Sequence, residues 1–318
     1  MNHISLPPGL ARDVSRVDAI VRERVAARTV VLDIANQSID PATAGMLAAL
    51  ALLAARLGPQ PNREAALHSA ATGELIYASS CVHDNLMAAE RRGLSTSKQW
   101  SGDVALMVGD YLFALAAAEM ALAPDPRIIS YFSQSVMAIS EGQLAPTITI
   151  LPLEQAIEQY LYQAESATSA LFRAAGKAGM VCGGGTQEQV DTLGEIGHAL
   201  GLAWHMIDDI RDFDASPADG RDKRGRLRAG VITLPLIYAA DAEPQLEWEQ
   251  MLGSGEPSEA HVRTMLAAVQ RTGAVERARA DARQHVRHAL TLLDSLPDSA
   301  AKIMMRDLIQ AVVSEPSR

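Results

Sequence analysis

Apolar residues recur with helical spacing along almost the whole chain, and this periodicity constrains the fold more than any other feature of the sequence. It is interrupted where Gly, Pro and Asn cluster, around 58–62, 93–97, 124–126, 183–185, 217–230 and 253–257. Most intervening segments have the length of helices. Runs of β-branched residues are sparse and only 4% of the residues are aromatic, which argues against a β-sandwich or barrel. The sequence therefore predicts an all-α protein.

Two Ala- and Leu-rich segments, 45–57 and 111–123, are apolar on nearly all sides. This composition predicts central helices that pack against several neighbours. No repeat of fixed period is present, and the segment 217–230 is too short and too basic to link two domains. We expect residues 1–318 to form a single helical domain.

Charge and cysteine content limit the possible partners and the cellular location. The chain has 28 Lys and Arg against 38 Asp and Glu, a net charge of −10, which argues against capture of nucleic acid by the whole surface. Cys81 and Cys182 lack the spacing of a disulfide framework or a zinc site. The N-terminus does not resemble a secretory signal, and the longest apolar stretch, 46–55, is half a membrane span. We expect a cytoplasmic protein that is not an integral membrane protein.

The stretch GLAWHMIDDIRDFDAS, 201–216, ends an apolar helical pattern in a group of aspartates. On a helix, Asp208 and Asp209 each share a face with Asp212, at spacings of four and three residues. Clustered carboxylates repel one another unless a cation neutralises them, and Mg²⁺ prefers such oxygen ligands. The alternative is a solvated acidic helix end that Arg211 partly neutralises.

A basic segment, GRDKRGRLRAG at 220–230, follows the aspartates in a chain that is otherwise acidic. Its cations are Arg221, Lys223, Arg224, Arg226 and Arg228. Carboxylates for a metal ion beside charged donors are what binding of a diphosphate requires. A solvated charge run is the alternative, but the two elements together favour a diphosphate site.

A second group of candidates lies upstream in HDNLMAAERRG, 83–93. Arg91 and Arg92 precede a glycine, and paired guanidinium groups bind phosphate oxygens in a bidentate manner. Asp84 offers one more oxygen for a metal ion. Taken alone, the two arginines are also consistent with an ordinary surface pair.

In this order, these motifs resemble those of the trans-isoprenyl diphosphate synthases, also called polyprenyl synthetases, from about residue 14 to residue 312. The matching stretches are VHDNLMAAERRGLST, GDYLFALA, GLAWHMIDDIRDF, GVITLPLIYAA and TGAVERARADARQHVRHALTLLDSLPD. The resemblance implies an isoprenoid-synthase-like helical bundle around a central cavity, commonly dimeric. It also implies Mg²⁺-assisted ionisation of an allylic prenyl diphosphate, followed by attack of isopentenyl diphosphate on the carbocation.

The resemblance also assigns roles to individual residues. The expected metal ligands are Asp84, Asp208, Asp209 and Asp212, the last three being the catalytic group. The expected diphosphate ligands are Arg91, Arg92, Arg221, Lys223 and Arg224. Thr168 and His205 stand where the family has its Lys-Thr and Phe-Gln pairs, which read Ala167-Thr168 and Trp204-His205 here.

The sequence departs from the family at both substrate positions. The first aspartate-rich motif reads Asp84-Asn85-Leu86-Met87-Ala88, and the interval to Arg91 is two residues shorter than usual. The cationic segment that grips isopentenyl diphosphate falls at 42–48, where Ala44 and Leu47 carry no charge. Tyr77 replaces a histidine of the isopentenyl diphosphate pocket, from which Arg92 remains. Val231 replaces the lysine that closes the basic loop.

A diphosphate buried without fixed positive charge is strongly disfavoured, so ordinary elongation by isopentenyl diphosphate is doubtful. We expect a Mg²⁺-dependent enzyme that transfers an allylic prenyl group to a non-standard acceptor or cyclises it. A non-catalytic or regulatory subunit paired with an active homologous chain is the alternative. An ordinary elongating synthase is the third possibility, and the partner chain is either a second copy or a homologue.

Overall fold

The computed structural model describes residues 7–26, 28–38, 45–91, 101–213, 225–252 and 256–314. Within these ranges the chain is helical and contains no strand, so the all-α prediction is confirmed. The elements are α1 (Pro8–Val25), α2 (Thr29–Ser38), α3 (Met46–Leu57), α4 (Arg63–Arg91), α5 (Gly102–Met120), α6 (Pro126–Leu144), α7 (Leu153–Ala164), a π-helical turn (Glu165–Ser169), α8 (Ala170–Cys182), α9 (Gln187–Arg211), α10 (Gly225–Arg228), α11 (Leu234–Ala242), α12 (Trp248–Leu252), α13 (Glu259–Thr272), α14 (Ala274–Asp294) and α15 (Ala300–Ala311).

Capping residues fix the helix boundaries that the sequence predicts. Asp125 accepts a hydrogen bond from the backbone N–H of Arg127 at 2.9 Å, which starts α6 after the break at 124–126. Thr186 and Gln189 form a capping box at the start of α9, after the break at 183–185. The break at 217–230 is interrupted by α10, because a short helical turn follows residue 224.

The helices α3, α8 and α9 form the interior. Every residue of α3 from Met46 to Ala55 is buried, which confirms the prediction for 45–57. Glycines allow α8 and α9 to approach closely: a Cβ on Gly176 would lie 2.2 Å from the carbonyl oxygen of Leu193. A Cβ on Gly197 would lie 2.3 Å from the carbonyl oxygen of Phe172. This close packing holds the acidic end of α9 in place.

The prediction that 111–123 is enclosed on several sides is wrong. One side of α5 packs on α4, but Phe113 on the other side is 39% exposed and Met107 is 65% exposed. On α6, Ile129 and Met137 are exposed as well. Composition alone does not separate a core helix from a helix whose outer face is apolar and uncovered. We use the name α5–α6 face for the exposed apolar residues Met107 and Phe113 of α5 and Ile129 and Met137 of α6.

Within the described part of the chain, no helix combines the length and the hydropathy needed to cross a membrane. A cavity of about 460 Å³ lies between α1, α3 and the start of α4, and its lining includes Asp13, Arg56 and Arg63. Arg63 begins α4, and Asp84 lies about 30 Å from it along the helix axis, at a rise of about 1.5 Å per residue. This cavity is therefore remote from the acidic end of α9.

Candidate functional site

The carboxylates of the acidic cluster lie at the C-terminal end of α9. Asp208 and Asp209 are in its last turn, and Asp212 follows its final residue. Asp209 and Asp212 are buried, and the side chain of Asp208 is 28% exposed. The C-terminus of a helix carries partial negative charge, so these carboxylates gain no help from the helix itself. Cations must compensate them.

Arg226, in α10, supplies much of that compensation. Its Nη1 donates a hydrogen bond to Oδ1 of Asp209, and its Nη2 lies 3.3 Å from Oδ2 of Asp208. Burial lowers the pKa of the Arg226 guanidinium, but the charges of Asp208, Asp209 and Asp212 outweigh that effect and raise it. The group is therefore a permanent cation. The sequence indicated Arg226 only as one of several charges in a basic segment.

Other groups complete the hydrogen bonds of the two adjacent aspartates. Tyr160 in α7 donates its hydroxyl to Oδ2 of Asp209 at 2.8 Å, and burial raises the pKa of that phenol well above its ordinary value. Arg211 donates to Oδ1 of Asp208 at 3.2 Å and lies over the ring of Trp204, 5.2 Å from its centroid. Because Tyr160 is distant in sequence, no local pattern predicts it.

Asp212 is held differently from its neighbours. Its Oδ2 accepts a hydrogen bond from the backbone N–H of Leu227 at 2.9 Å, which ties α10 to the end of α9. Burial raises the pKa of Asp212 to about 7, and the negative charges of Asp209 and Asp208 add to this effect. Asp212 is therefore held mainly by a backbone hydrogen bond, whereas Asp208 and Asp209 contact Arg226.

Asp84 lies near the same end of the bundle. Its Oδ1 accepts a hydrogen bond from Nε2 of Gln143, near the end of α6, at 2.8 Å. Burial raises the pKa of Cys81 to about 12, and the charges of Asp84 and Asp208 raise it as well. The two acidic segments therefore act on the same neighbouring groups, although they are far apart in sequence.

Thr168 and His205 form a pair beside the acidic cluster. The hydroxyl of Thr168 lies 2.9 Å from Nδ1 of His205, and the π-helical turn presents that threonine. Burial lowers the pKa of His205, whereas the charges of Asp209 and Asp208 raise it. The ring of Tyr160 meets that of His205 edge to face, with centroids 5.8 Å apart. This side of the site is aromatic and neutral.

A carboxylate of α4 accepts hydrogen bonds from backbone N–H groups at the start of α3. Glu74 of α4 accepts hydrogen bonds from the backbone N–H of Ala48 at 2.9 Å and of Gly45 at 3.3 Å. Burial raises the pKa of Glu74 to about 7. Leu47 beside it is buried and uncharged. At this helix N-terminus a side-chain carboxylate occupies donors that would otherwise suit an anion.

Several of the predicted diphosphate ligands fall outside the described residues. These are Arg92, Arg221, Lys223 and Arg224, together with Ala44 of the acceptor segment. Arg91 is the last residue of α4, and its side chain also lies outside the described part of the chain. Their roles stay predictions.

The donors at this end of the bundle suit a hard divalent cation. They are carboxylate oxygens, and those of Asp208, Asp209 and Asp212 share one end of α9. Among the described residues, no three His, Cys, Asp or Glu side chains are already placed to hold a metal ion. The chemistry therefore fits Mg²⁺, but Arg226 contacts two of the carboxylates that would bind it.

Comparison with known proteins places this geometry in context. Residues 29–269 match the family model for polyprenyl synthetase. The chain is 33% identical over 261 residues to heptaprenyl diphosphate synthase component 2 of Geobacillus stearothermophilus, a match that covers 81% of each protein. A decaprenyl diphosphate synthase from Rhodobacter capsulatus has a TM-score of 0.81 at 27% identity, over 98% of both chains. A polyprenyl synthase from Caulobacter crescentus, complexed with calcium and isoprenyl diphosphate, has a TM-score of 0.76 at 23% identity, over 96% of this chain and 98% of that one.

Proposed function

The chain belongs to the polyprenyl synthetase family, which confirms the resemblance, and it is a prenyltransferase of that family; we propose that its substrate is an allylic prenyl diphosphate bound with Mg²⁺ at the acidic end of α9. We further propose that its acceptor is not isopentenyl diphosphate, so the prenyl group passes to another acceptor or cyclises. The calcium and isoprenyl diphosphate of the related Caulobacter structure support a divalent cation and a diphosphate in this family.

The position of Glu74 is the observation that carries the acceptor proposal. Isopentenyl diphosphate brings an anionic diphosphate to the region that the family lines with cations. Here the start of α3 carries the Glu74 carboxylate, with Leu47 and Tyr77 nearby in place of positive charge. A buried anion without a cationic partner is strongly disfavoured. Glu74 therefore disfavours a second diphosphate at this end of the site.

The proposed chemistry requires the chain to stabilise a departing diphosphate. Asp208, Asp209, Asp212 and Asp84 would hold Mg²⁺, which supplies Lewis-acid stabilisation of the leaving group when bound. Arg91, Arg92, Arg221, Lys223 and Arg224 would donate charge-assisted hydrogen bonds to the diphosphate oxygens. The neutral pair of Thr168 and His205 borders the site and offers a surface without net charge to the prenyl group.

A second candidate is a subunit that acts together with a homologous chain. The α5–α6 face favours it, because four large apolar side chains, Met107, Phe113, Ile129 and Met137, are exposed there. The Geobacillus relative is described as component 2 of a heptaprenyl diphosphate synthase. We propose that the α5–α6 face binds a second copy of this chain or a homologue.

Incubation with allylic substrates separates these proposals. Purified protein is mixed with geranyl, farnesyl or geranylgeranyl diphosphate and Mg²⁺, with and without isopentenyl diphosphate, and the products are analysed. The Asp208→Asn variant serves as the control for metal-dependent turnover. Release of diphosphate that does not need isopentenyl diphosphate supports the proposed function.

Other outcomes of this incubation point elsewhere. Chain extension that depends on isopentenyl diphosphate would identify an ordinary elongating synthase. Inertness that a homologous chain reverses would identify a subunit.

A further inference from the structure

We propose that Arg226 is an internal counterion that couples the binding of Mg²⁺ to the binding of diphosphate at the acidic end of α9. This inference rests on the proposed function, because it assigns a role to a residue of that same site. Arg226 competes with Mg²⁺ for Asp208 and Asp209, and a bound diphosphate relieves the competition by accepting the guanidinium.

The geometry places the guanidinium where a metal ion would bind. Two of its nitrogens reach different aspartates, Nη1 to Asp209 and Nη2 to Asp208 at 3.3 Å. Mg²⁺ on the same oxygens would face a positive charge in direct contact. Arginine does not lose its proton in proteins, and the surrounding carboxylates raise the pKa of Arg226 further. The conflict is therefore resolved only by movement of the side chain.

Different contacts hold the Arg226 side chain and the backbone of its helix. The backbone N–H of Leu227, the next residue, remains bound to Asp212 at 2.9 Å. The Arg226 side chain as a whole is 38% exposed, so the protein does not enclose it on all sides. A rotation of this side chain away from Asp208 and Asp209 does not require α10 to detach.

A diphosphate is the natural acceptor for the displaced guanidinium. Its oxygens bind arginine in bidentate fashion and bind Mg²⁺ as well. Mg²⁺ alone leaves Arg226 without an anionic partner, and diphosphate alone meets carboxylates that are not fully neutralised. Each ligand therefore favours the other, and the coupling is reciprocal.

Arg211 provides a matched control on the same cluster. It donates to Oδ1 of Asp208 at 3.2 Å, but its guanidinium also lies over the ring of Trp204. It reaches one aspartate of the pair, whereas Arg226 spans both. Loss of Arg211 removes one positive charge from the cluster without removing the group that spans the metal-binding oxygens.

The test measures metal binding and needs no turnover. Mg²⁺ is titrated by calorimetry into the full-length wild-type protein, Arg226→Gln and Arg211→Gln, with and without inorganic diphosphate, corrected for Mg²⁺ complexed by free diphosphate. We expect diphosphate to tighten Mg²⁺ binding to the wild type by at least about fivefold, the lower end of typical coupling. In Arg226→Gln we expect tighter binding of Mg²⁺ alone and a coupling below about threefold. Arg211→Gln should keep the wild-type coupling, and thermal unfolding checks that each variant is folded.

The possible failures are distinguishable. Equal coupling in the wild type and Arg226→Gln overturns the role of Arg226 and leaves the proposed function standing. Tight Mg²⁺ binding to Arg226→Gln, with none to the wild type even in diphosphate, contradicts the proposed function and overturns the coupling, because diphosphate then fails to relieve the competition by Arg226. Absence of Mg²⁺ binding to both proteins overturns both.

Discussion

Replacement of Glu74 by glutamine makes the stability of the protein depend on pH in a predictable way. The Glu74 carboxylate accepts hydrogen bonds from the backbone N–H groups of Ala48 and Gly45 at the start of α3. Burial raises its pKa from 4.5 to about 7. Glutamine has nearly the same shape but does not ionise. The pair of proteins therefore isolates the charge of this side chain.

The magnitude follows from the pKa shift. One pKa unit corresponds to about 1.4 kcal/mol, so the rise from 4.5 to about 7 amounts to about 3 kcal/mol. The folded protein holds a proton that the unfolded chain has released between these two values. The free energy of unfolding therefore falls as pH rises from 4.5 to 7, and this contribution is constant above that range.

The variant loses this dependence at a small cost. The glutamine oxygen replaces one acceptor, but its NH₂ group does not accept the hydrogen bond from Gly45, a loss of about 1 kcal/mol. At pH 5 the wild type has already lost about 1 kcal/mol of this contribution, so Glu74→Gln should be about as stable as the wild type. At pH 8 it should be more stable by about 2 kcal/mol, because the wild type then carries the ionised buried carboxylate.

Urea unfolding of the wild type and Glu74→Gln between pH 5 and pH 8 measures the difference in their free energies of unfolding. The titrations of groups that both proteins share cancel in this difference. Glu64→Gln is the control, since Glu64 is on the same helix but its side chain is 62% exposed. A difference for Glu74→Gln that does not change with pH, or that changes in the opposite direction, would show that burial does not raise the pKa of Glu74.

Three further predictions concern the packing, the α5–α6 face and the acidic cluster. In a urea titration, Gly197→Ala should lower the free energy of unfolding by more than about 2 kcal/mol, because its Cβ would lie 2.3 Å from a carbonyl oxygen of α8. The control is Gly9→Ala, which has open space around the Cβ and should change the free energy of unfolding little. Met107→Glu should weaken self-association in sedimentation velocity, whereas Ile303→Glu, 64% exposed on α15, should not. Mg²⁺ and inorganic diphosphate together should raise the midpoint of thermal unfolding, and Asp208→Ala should abolish that rise; an unchanged rise would mark the cluster as a solvated helix end.

The sequence predicts those features that depend on local spacing. The helical period identifies α3 as interior, and Gly and Pro clusters predict the breaks before α4, α6 and α9. The acidic end of α9 is predicted in the same way, since residues three and four apart on a helix share a face. Motif order along the chain is enough to indicate the family.

The partners of the site residues depend on tertiary packing, which local spacing does not encode. Tyr160 and Gln143 lie in helices distant in sequence from the aspartates they contact. Arg226 is one of five cations in a short basic segment, and its contacts with Asp208 and Asp209 depend on the fold. The exposure of Phe113 is likewise invisible in composition, because an uncovered apolar face and a core helix use the same residues.

In the proposed function, Arg226 and Glu74 place charges at the two substrate positions that are opposite to those of an elongating synthase. A guanidinium contacts the carboxylates expected to bind a cation, and a carboxylate occupies the helix start expected to meet an anion. The first arrangement is reversible, because an arriving diphosphate accepts the arginine that the metal displaces. The second is not, because a neutral or anionic Glu74 offers no positive charge to an acceptor diphosphate. The proposed function therefore assigns to this chain one diphosphate bound together with a metal ion and no second diphosphate beside it.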